Sequence, residues 1–286
     1  MSKVKIKLIS IGHLPLEFNI KSVGKFKSSQ FKIHGEIERL ALRCDSDGMS
    51  WEFSDDIVRK QLPELGDADF MIAIVNGPLE DNWYSRRLGG NKVAFTFHEI
   101  KGILQWANIP LENVIYRMLN AYTLAYKRAG NRIPDFEEMT DFTHDETRGC
   151  LFDMNGLKLD LVASCHKPII CSECQERLRR DRVPENVIKA VEKDIKKIRK
   201  DLYYRILDRV KRHPIFALFL SSLFALFLGI TGSIAGSYAY EYIKRPAEPA
   251  EPAEPAEPAE PAEPAEPAEP AEPAEPAEMK QSNEKV

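Results

Sequence analysis

Common catalytic signatures are missing from this chain. It has no Gly-x-x-x-x-Gly-Lys-Ser/Thr phosphate loop and no Gly-x-Ser-x-Gly elbow. Nothing therefore indicates a P-loop nucleotide hydrolase or a serine hydrolase of that type. "RRLGGNK" sets two glycines between cations, but without the strand–loop–helix context of a phosphate cradle, and reads as a surface turn. No secretory signal opens the chain. Charge is absent over "PIFALFLSSLFALFLGITGSIAGSYAY", Pro214 to Tyr240. Large apolar side chains are absent from the C-terminal repeat. Cysteine is scarce, five in 286 residues, yet four of the five fall between His144 and Cys174.

The uncharged run exceeds the roughly 20 residues that cross a bilayer. It predicts one transmembrane helix over 214–240. Gly232 and Gly236 have the small-xxx-small spacing that lets helices pack closely. The flanks set the expected orientation. Arg177 to Arg212 carries 14 Lys or Arg, against Lys244 and Arg245 after the span. The positive-inside rule then predicts a cytoplasmic N-terminal part, a single pass through the cell (inner) membrane and an extracytoplasmic tail over 241–286.

The net charge of −4 averages two unlike parts. The tail from Pro246 holds 12 acidic and 2 basic residues, which leaves 32 acidic and 38 basic before it. Pro246 to Glu278 is Pro-Ala-Glu repeated 11 times. Proline at every third position opposes helix and sheet and favours an extended, disordered or polyproline II spacer of up to about 100 Å.

Residues 181–213 predict a long basic helix. Pro184 and Glu185 suit its first turn. Val187, Val191, Ile195, Ile198, Leu202, Ile206 and Val210 recur at steps of three or four, one apolar stripe. Three placements follow: a coiled coil that makes a homo-oligomer through 187–210 and the membrane helix, a surface lying on anionic headgroups, or packing on the N-terminal domain. Positive charge beside a membrane has its own explanation, so nucleic acid is not expected as a partner. No feature identifies a protein partner.

Residues 1–180 predict one α+β domain. "KVKIKLISI" reads as a strand, "FKIHGEIERLALRC" as a strand or strand pair, and "ADFMIAIVNGPL" as a buried strand. "SDDIVRKQLP" reads as a short helix capped by Ser54 and stopped by Pro63. "NKVAFTFHEI" is a strand or a strand-to-helix passage. "PLENVIYRMLNAYTLAYKRAG" is a helix between Pro110 and Gly130, apolar on more than one face and therefore a core helix.

A cytoplasmic setting disfavours disulfides, so the cysteine-rich stretch reads as metal chemistry. Cys171-Ser-Glu-Cys174 lets two thiolates reach one tetrahedral zinc. Cys150 is the expected third ligand, and His144 or Cys165 the fourth, with His166 a weaker competitor. The same spacing also suits a redox pair at a helix start, or plain core cysteines.

"FTFHEIKGILQWAN" contains His98-Glu99, the opening of a His-Glu-x-x-His helix. With "GCLFDM" at Cys150 and "ICSEC" at Cys171 to Cys174, residues 70–178 resemble the archaemetzincins, which look like a zincin domain with a second, cysteine-bound zinc. The resemblance implies a zincin-like fold, a structural zinc, and His98 and Glu99 as the catalytic residues. The second histidine position holds Gly102, however, and the next positions hold Gln105 and Asn108. The implied domain is thus a degenerate zincin that keeps the structural zinc, with His144-Asp145-Glu146 as a source of replacement ligands. Two functional expectations follow. The first is a single-pass, membrane-anchored, zinc-binding module with a sensory, adaptor or scaffold role. The second is a membrane-tethered zincin-like metallohydrolase.

Overall fold

In a computed structural model, residues 2–244 are described. The expected Pro-Ala-Glu spacer lies outside the described residues. Of the described residues, 2–219 form one compact unit and 220–244 belong to another.

The first unit is built on a mixed sheet of six strands. They are β1 Val4–Ile11, β2 Phe31–Ile33, β3 Glu38–Leu40, β4 Phe70–Val75, β5 Ser85–Gly89 and β6 Lys92–Thr96. The order is β2-β1-β4-β6-β5, and β3 pairs with β1 beyond the end of β2. All pairings are parallel except β5 with β6. Parallel strands covered on both faces read as continuous apolar runs. β4, "FMIAIV", is buried at every position.

Alternation sorts the strand residues between two cores. Ile6, Leu8, Phe70, Ile72, Val93 and Phe95 face one layer. That layer includes α1 Ile20–Gly24, α3 Ile100–Trp106 and α4 Glu112–Arg128. Ile9, Ile11, Met71, Ala73 and Ala94 face the other, which is closed by Val58 and Leu62 at α2 Asp55–Gln61. Ser54 caps α2 by accepting the Ile57 N–H at 3.3 Å, as its sequence indicates.

α4 is the keel of the unit. Its Val114, Ile115, Met118, Leu119 and Tyr122 pack toward the sheet. Ala121, Leu124 and Ala125 pack into a second core. That core is completed by α7 Ser172–Arg180, α8 Glu185–Ile195 and the loop carrying Cys150. The two-sided apolar pattern of α4 thus has a direct structural counterpart.

The sequence reading and the structure differ in two places. "RRLGGNK" holds its turn at Gly90 and Asn91, but Arg86 and Arg87 belong to the edge strand β5. An edge strand can carry charge because its side chains reach solvent or the sheet rim. Residues 181–213 form two helices, α8 and α9 Leu202–Arg212, separated at Lys196–Asp201. Val187, Ile188, Val191, Ile195 and Ile198 are all buried. Each such side chain contributes about 1.5–3 kcal/mol by leaving water. Asn113 of α4 donates through Nδ2 to the Arg199 carbonyl at 3.0 Å and holds the break in place. The stripe is therefore divided: its first half packs on the domain, while Leu202, Ile206 and Val210 stay exposed.

α10 runs from Pro214 to Lys244, 31 residues with none buried. At 1.5 Å per residue it spans about 46 Å, against about 30 Å for a hydrocarbon layer. It is one helix long and apolar enough to cross a membrane.

Candidate metal centre

The site is assembled from three short segments. His144 follows α5 Phe136–Thr140, whose start carries a capping box between Asp135 and Glu138. Its main chain pairs with the next segment: the His144 N–H donates to the Phe152 carbonyl at 3.2 Å, and the Met154 N–H to the His144 carbonyl at 2.9 Å. Gly149 stands at φ +87°, where a side chain would be strained. It turns the chain so that Cys150 meets Ile169 in an isolated parallel bridge. Leu151 N–H then donates to the Ile169 carbonyl at 2.8 Å. Two residues on, Cys171 caps α7, and Cys174 lies one turn inside it.

These segments bring His144, Cys150, Cys171 and Cys174 together, their ligand atoms all within 4.8 Å of one another. Cys150 Sγ and Cys174 Sγ are 3.8 Å apart, and Cys171 Sγ lies 3.5 Å from His144 Nε2. The cysteines are free thiols, and 3.8 Å is far beyond a disulfide bond of about 2.05 Å. A tetrahedron with Zn–S bonds of about 2.3 Å has S–S edges of about 3.8 Å. Three thiols and one imidazole, three of the four buried, thus make a group that could hold a soft, tetrahedral ion.

The electrostatics agree. Hydrogen bonding from the Cys174 thiol, aided by the Cys171 N–H, holds the Cys150 thiol down at about 5 despite burial. The hydrogen bond to Cys150, burial and the Cys150 charge push Cys174 strongly up. One thiolate is tolerated and the second is opposed. A divalent cation reverses that opposition by supplying the charge the thiolates lack. His144 turns Nε2 toward the cysteines. Its buried Nδ1 has no hydrogen bond, but the Glu146 carboxylate lies 3.5 Å away. Metal-bound histidines commonly present their second nitrogen to a carboxylate.

Cys165, the other candidate for the fourth position, lies in the sheet-side core instead. Burial pushes its thiol up to about 12. His166 accepts the Lys200 N–H through Nδ1 at 3.1 Å. His98 and Glu99 sit in the turn before α3, which begins only at Ile100. Glu99 takes φ +62°, and its carboxylate accepts from Lys158 Nζ at 2.6 Å. That hydrogen bond holds the Glu99 carboxyl below its usual range. His98 Nε2 is 4.0 Å from Glu99 Oε1, and neither residue joins a group of three metal-competent side chains among the described residues.

Sequence reasoning passed over Arg117. It is 3 % exposed in the middle of α4 and donates through Nη2 to the carbonyls of Leu151 and Asp153 at 3.3 and 3.2 Å. The available signal was a lone arginine inside the apolar stretch "NVIYRMLNAYTLAY". No protein family, no curated protein and no solved structure matches the chain.

Proposed function

We propose that the chain is a single-pass, membrane-anchored binding module whose N-terminal domain is held in shape by one structural zinc. The observation that carries this reading is the convergence of His144, Cys150, Cys171 and Cys174 within 4.8 Å. Zinc suits three thiolates and an imidazole in a closed, buried tetrahedron with no open position for a substrate. A sensory, adaptor or scaffold role follows from the layout: a folded unit, a basic linker and an apolar helix in series. The basic residues before Pro214 support a cytoplasmic location for the domain. The exposed apolar side of α9, ending one residue before α10, supports its lying in the headgroup layer.

The test is elemental analysis of the full chain purified in detergent without added metal. About one zinc per chain is expected, lost in Cys171→Ser and Cys174→Ser. No bound metal in a folded chain would sink the reading. A C-terminal reporter that stays cytoplasmic would sink the topology. The hydrolase reading requires His98, Glu99 and His144 at one metal. It has less support, since His144 faces the cysteines and Glu99 is engaged by Lys158.

A further inference from the structure

A cavity of about 530 Å³ opens between the edge strand β5 and α4. Its wall is continuous along Trp83, Tyr84, Ser85, Arg86 and Arg87, and its floor includes Met118 and Tyr122. That size accommodates a small organic ligand. The lining is mainly aromatic and apolar, with charged groups at a few points.

The charged groups are unevenly committed. Arg86 binds Asp55 through Nε and Nη2 at 2.8–3.1 Å and also reaches Glu80 and Asp81 at 3.2 Å. Asp153 accepts the N–H groups of Asn155 and Gly149 at 2.9 and 3.3 Å. The carboxylates lining the cavity therefore have partners. Two guanidinium groups do not have theirs in full. Arg117 uses Nη2 on two carbonyls, and its buried Nε has no acceptor. Arg87 has a shielded Nε without an acceptor; among the described residues it has no carboxylate within ion-pair reach and donates no hydrogen bond. Its carbon centre lies 5.2 Å from the Phe136 ring, which orients a cation without neutralising it.

An arginine that is partly buried and spends none of its donors internally is a receptor for a planar or tetrahedral oxyanion. We propose that this cavity binds a small ligand with an apolar or aromatic body and one carboxylate or phosphate group, the oxyanion being held by Arg87 with Arg117 behind it. The body would lie against Tyr84, Met118 and Tyr122. The inference deepens the binding-module reading and rests on it. It does not depend on which ion occupies the cysteine site.

The experiment is calorimetric titration of the full chain in detergent with 3-phenylpropionate, with phenyl phosphate and with the neutral 3-phenylpropanamide. Saturable binding of at least one anion is expected, with the amide at least about tenfold weaker. Preference between the two anions assigns the ligand to carboxylates or phosphate esters. Arg87→Gln breaks no internal hydrogen bond, so it should melt like the wild type while binding the anion about tenfold more weakly. Arg117→Lys keeps the charge and tests the second cation where Arg117→Gln fails to fold. The proposal is overturned if neither anion binds at about 10 mM, a concentration well above a weak millimolar dissociation constant. Equal affinity for anion and amide, or an unchanged Arg87→Gln, overturns it too. Metal content is measured on the same sample. Zinc present with no anion binding defeats the cavity alone, whereas metal absent from a folded chain defeats the zinc reading and leaves the titration to decide the cavity.

Discussion

Arg117 Nη2 lies 3.2 Å from the main-chain oxygen of Asp153, a bond that ties the core helix α4 to the loop after Cys150. The same nitrogen reaches the Leu151 oxygen at 3.3 Å. Leu151 and Asp153 also line the cavity, so one loop faces the metal-competent group on one side and the ligand-sized space on the other. Among the described residues the Leu151 carbonyl has no second donor, whereas the Asp153 carbonyl also accepts from Asn155 Nδ2 at 2.6 Å.

Arg117→Met should therefore destabilise the chain by about 1–3 kcal/mol, because it leaves the Leu151 carbonyl without a donor and takes one of two donors from the Asp153 carbonyl, while nearly preserving volume. Cys150 would lose its support from the α4 side. A chelator should then extract metal faster from the variant than from the wild type. Equal melting temperatures would show that the Leu151 carbonyl finds another donor once Arg117 is gone.

If the His144, Cys150, Cys171 and Cys174 group holds an ion as proposed, removing one of its thiols should cost more than removing a core thiol. Cys174→Ser is expected to release the metal and cost about 3 kcal/mol or more, roughly 6–12 °C in Tm for a domain of this size. Cys165→Ala should keep the metal and cost about 1 kcal/mol, since Cys165 packs in the other core. Thermal unfolding and metal analysis of both variants separate the two roles. Metal loss in Cys165→Ala would reverse them.

Much of the frame is legible because its signals are local. The apolar run of β4, the cap at Ser54, the helix between Pro110 and Gly130 and the long apolar stretch after His213 each depend on neighbours in sequence. The Cys-x-x-Cys turn is local as well. The choice between His144 and Cys165 is not, since both lie at workable spacings and only the Gly149 turn and the Cys150–Ile169 bridge decide it. β5 was hidden because "SRRLG" lacks alternation and becomes a strand through its pairing with β6. The stripe from Val187 to Val210 keeps its helical spacing across the break at Lys196–Asp201. Periodicity alone thus reads as one helix where the chain makes two.

His166 gives the junction between α8 and α9 a pH dependence. Its Nδ1 must be unprotonated to accept the Lys200 N–H. Burial, with the nearby charges of Lys200, Lys167 and Arg205 against that of Asp208, holds its pKa below the usual 6.5. The unfolded chain therefore binds the proton first. The stabilisation is complete above about pH 6.5 and is lost as pH falls from there toward the folded value. His166→Asn keeps an acceptor that does not titrate. The Tm difference between wild type and variant should shift against the wild type between about pH 7 and 5. A pH-independent difference would remove His166 as the cause.

α9 decides between lipid and protein as the neighbour of the exposed half-stripe. Leu202, Tyr203, Ile206 and Val210 are 42–69 % exposed on one side of the helix. Arg205, Arg209, Lys211 and Arg212 supply cations along the same eleven residues, against the single acid Asp208. A coiled coil would need the apolar stripe to continue over several heptads, but the upstream half is already buried against α4 and α7. What remains is about three turns, enough for an interfacial helix with basic flanks. Tyr203→Trp in the full chain, reconstituted into vesicles with brominated acyl chains, should show quenching well above the wild-type background from Trp51, Trp83 and Trp106. Anionic lipid should strengthen it by about 1 kcal/mol per engaged basic residue. Tyr203→Trp fluorescence that escapes quenching, with concentration-dependent association of the chain, would mean that a second protein surface covers this side instead.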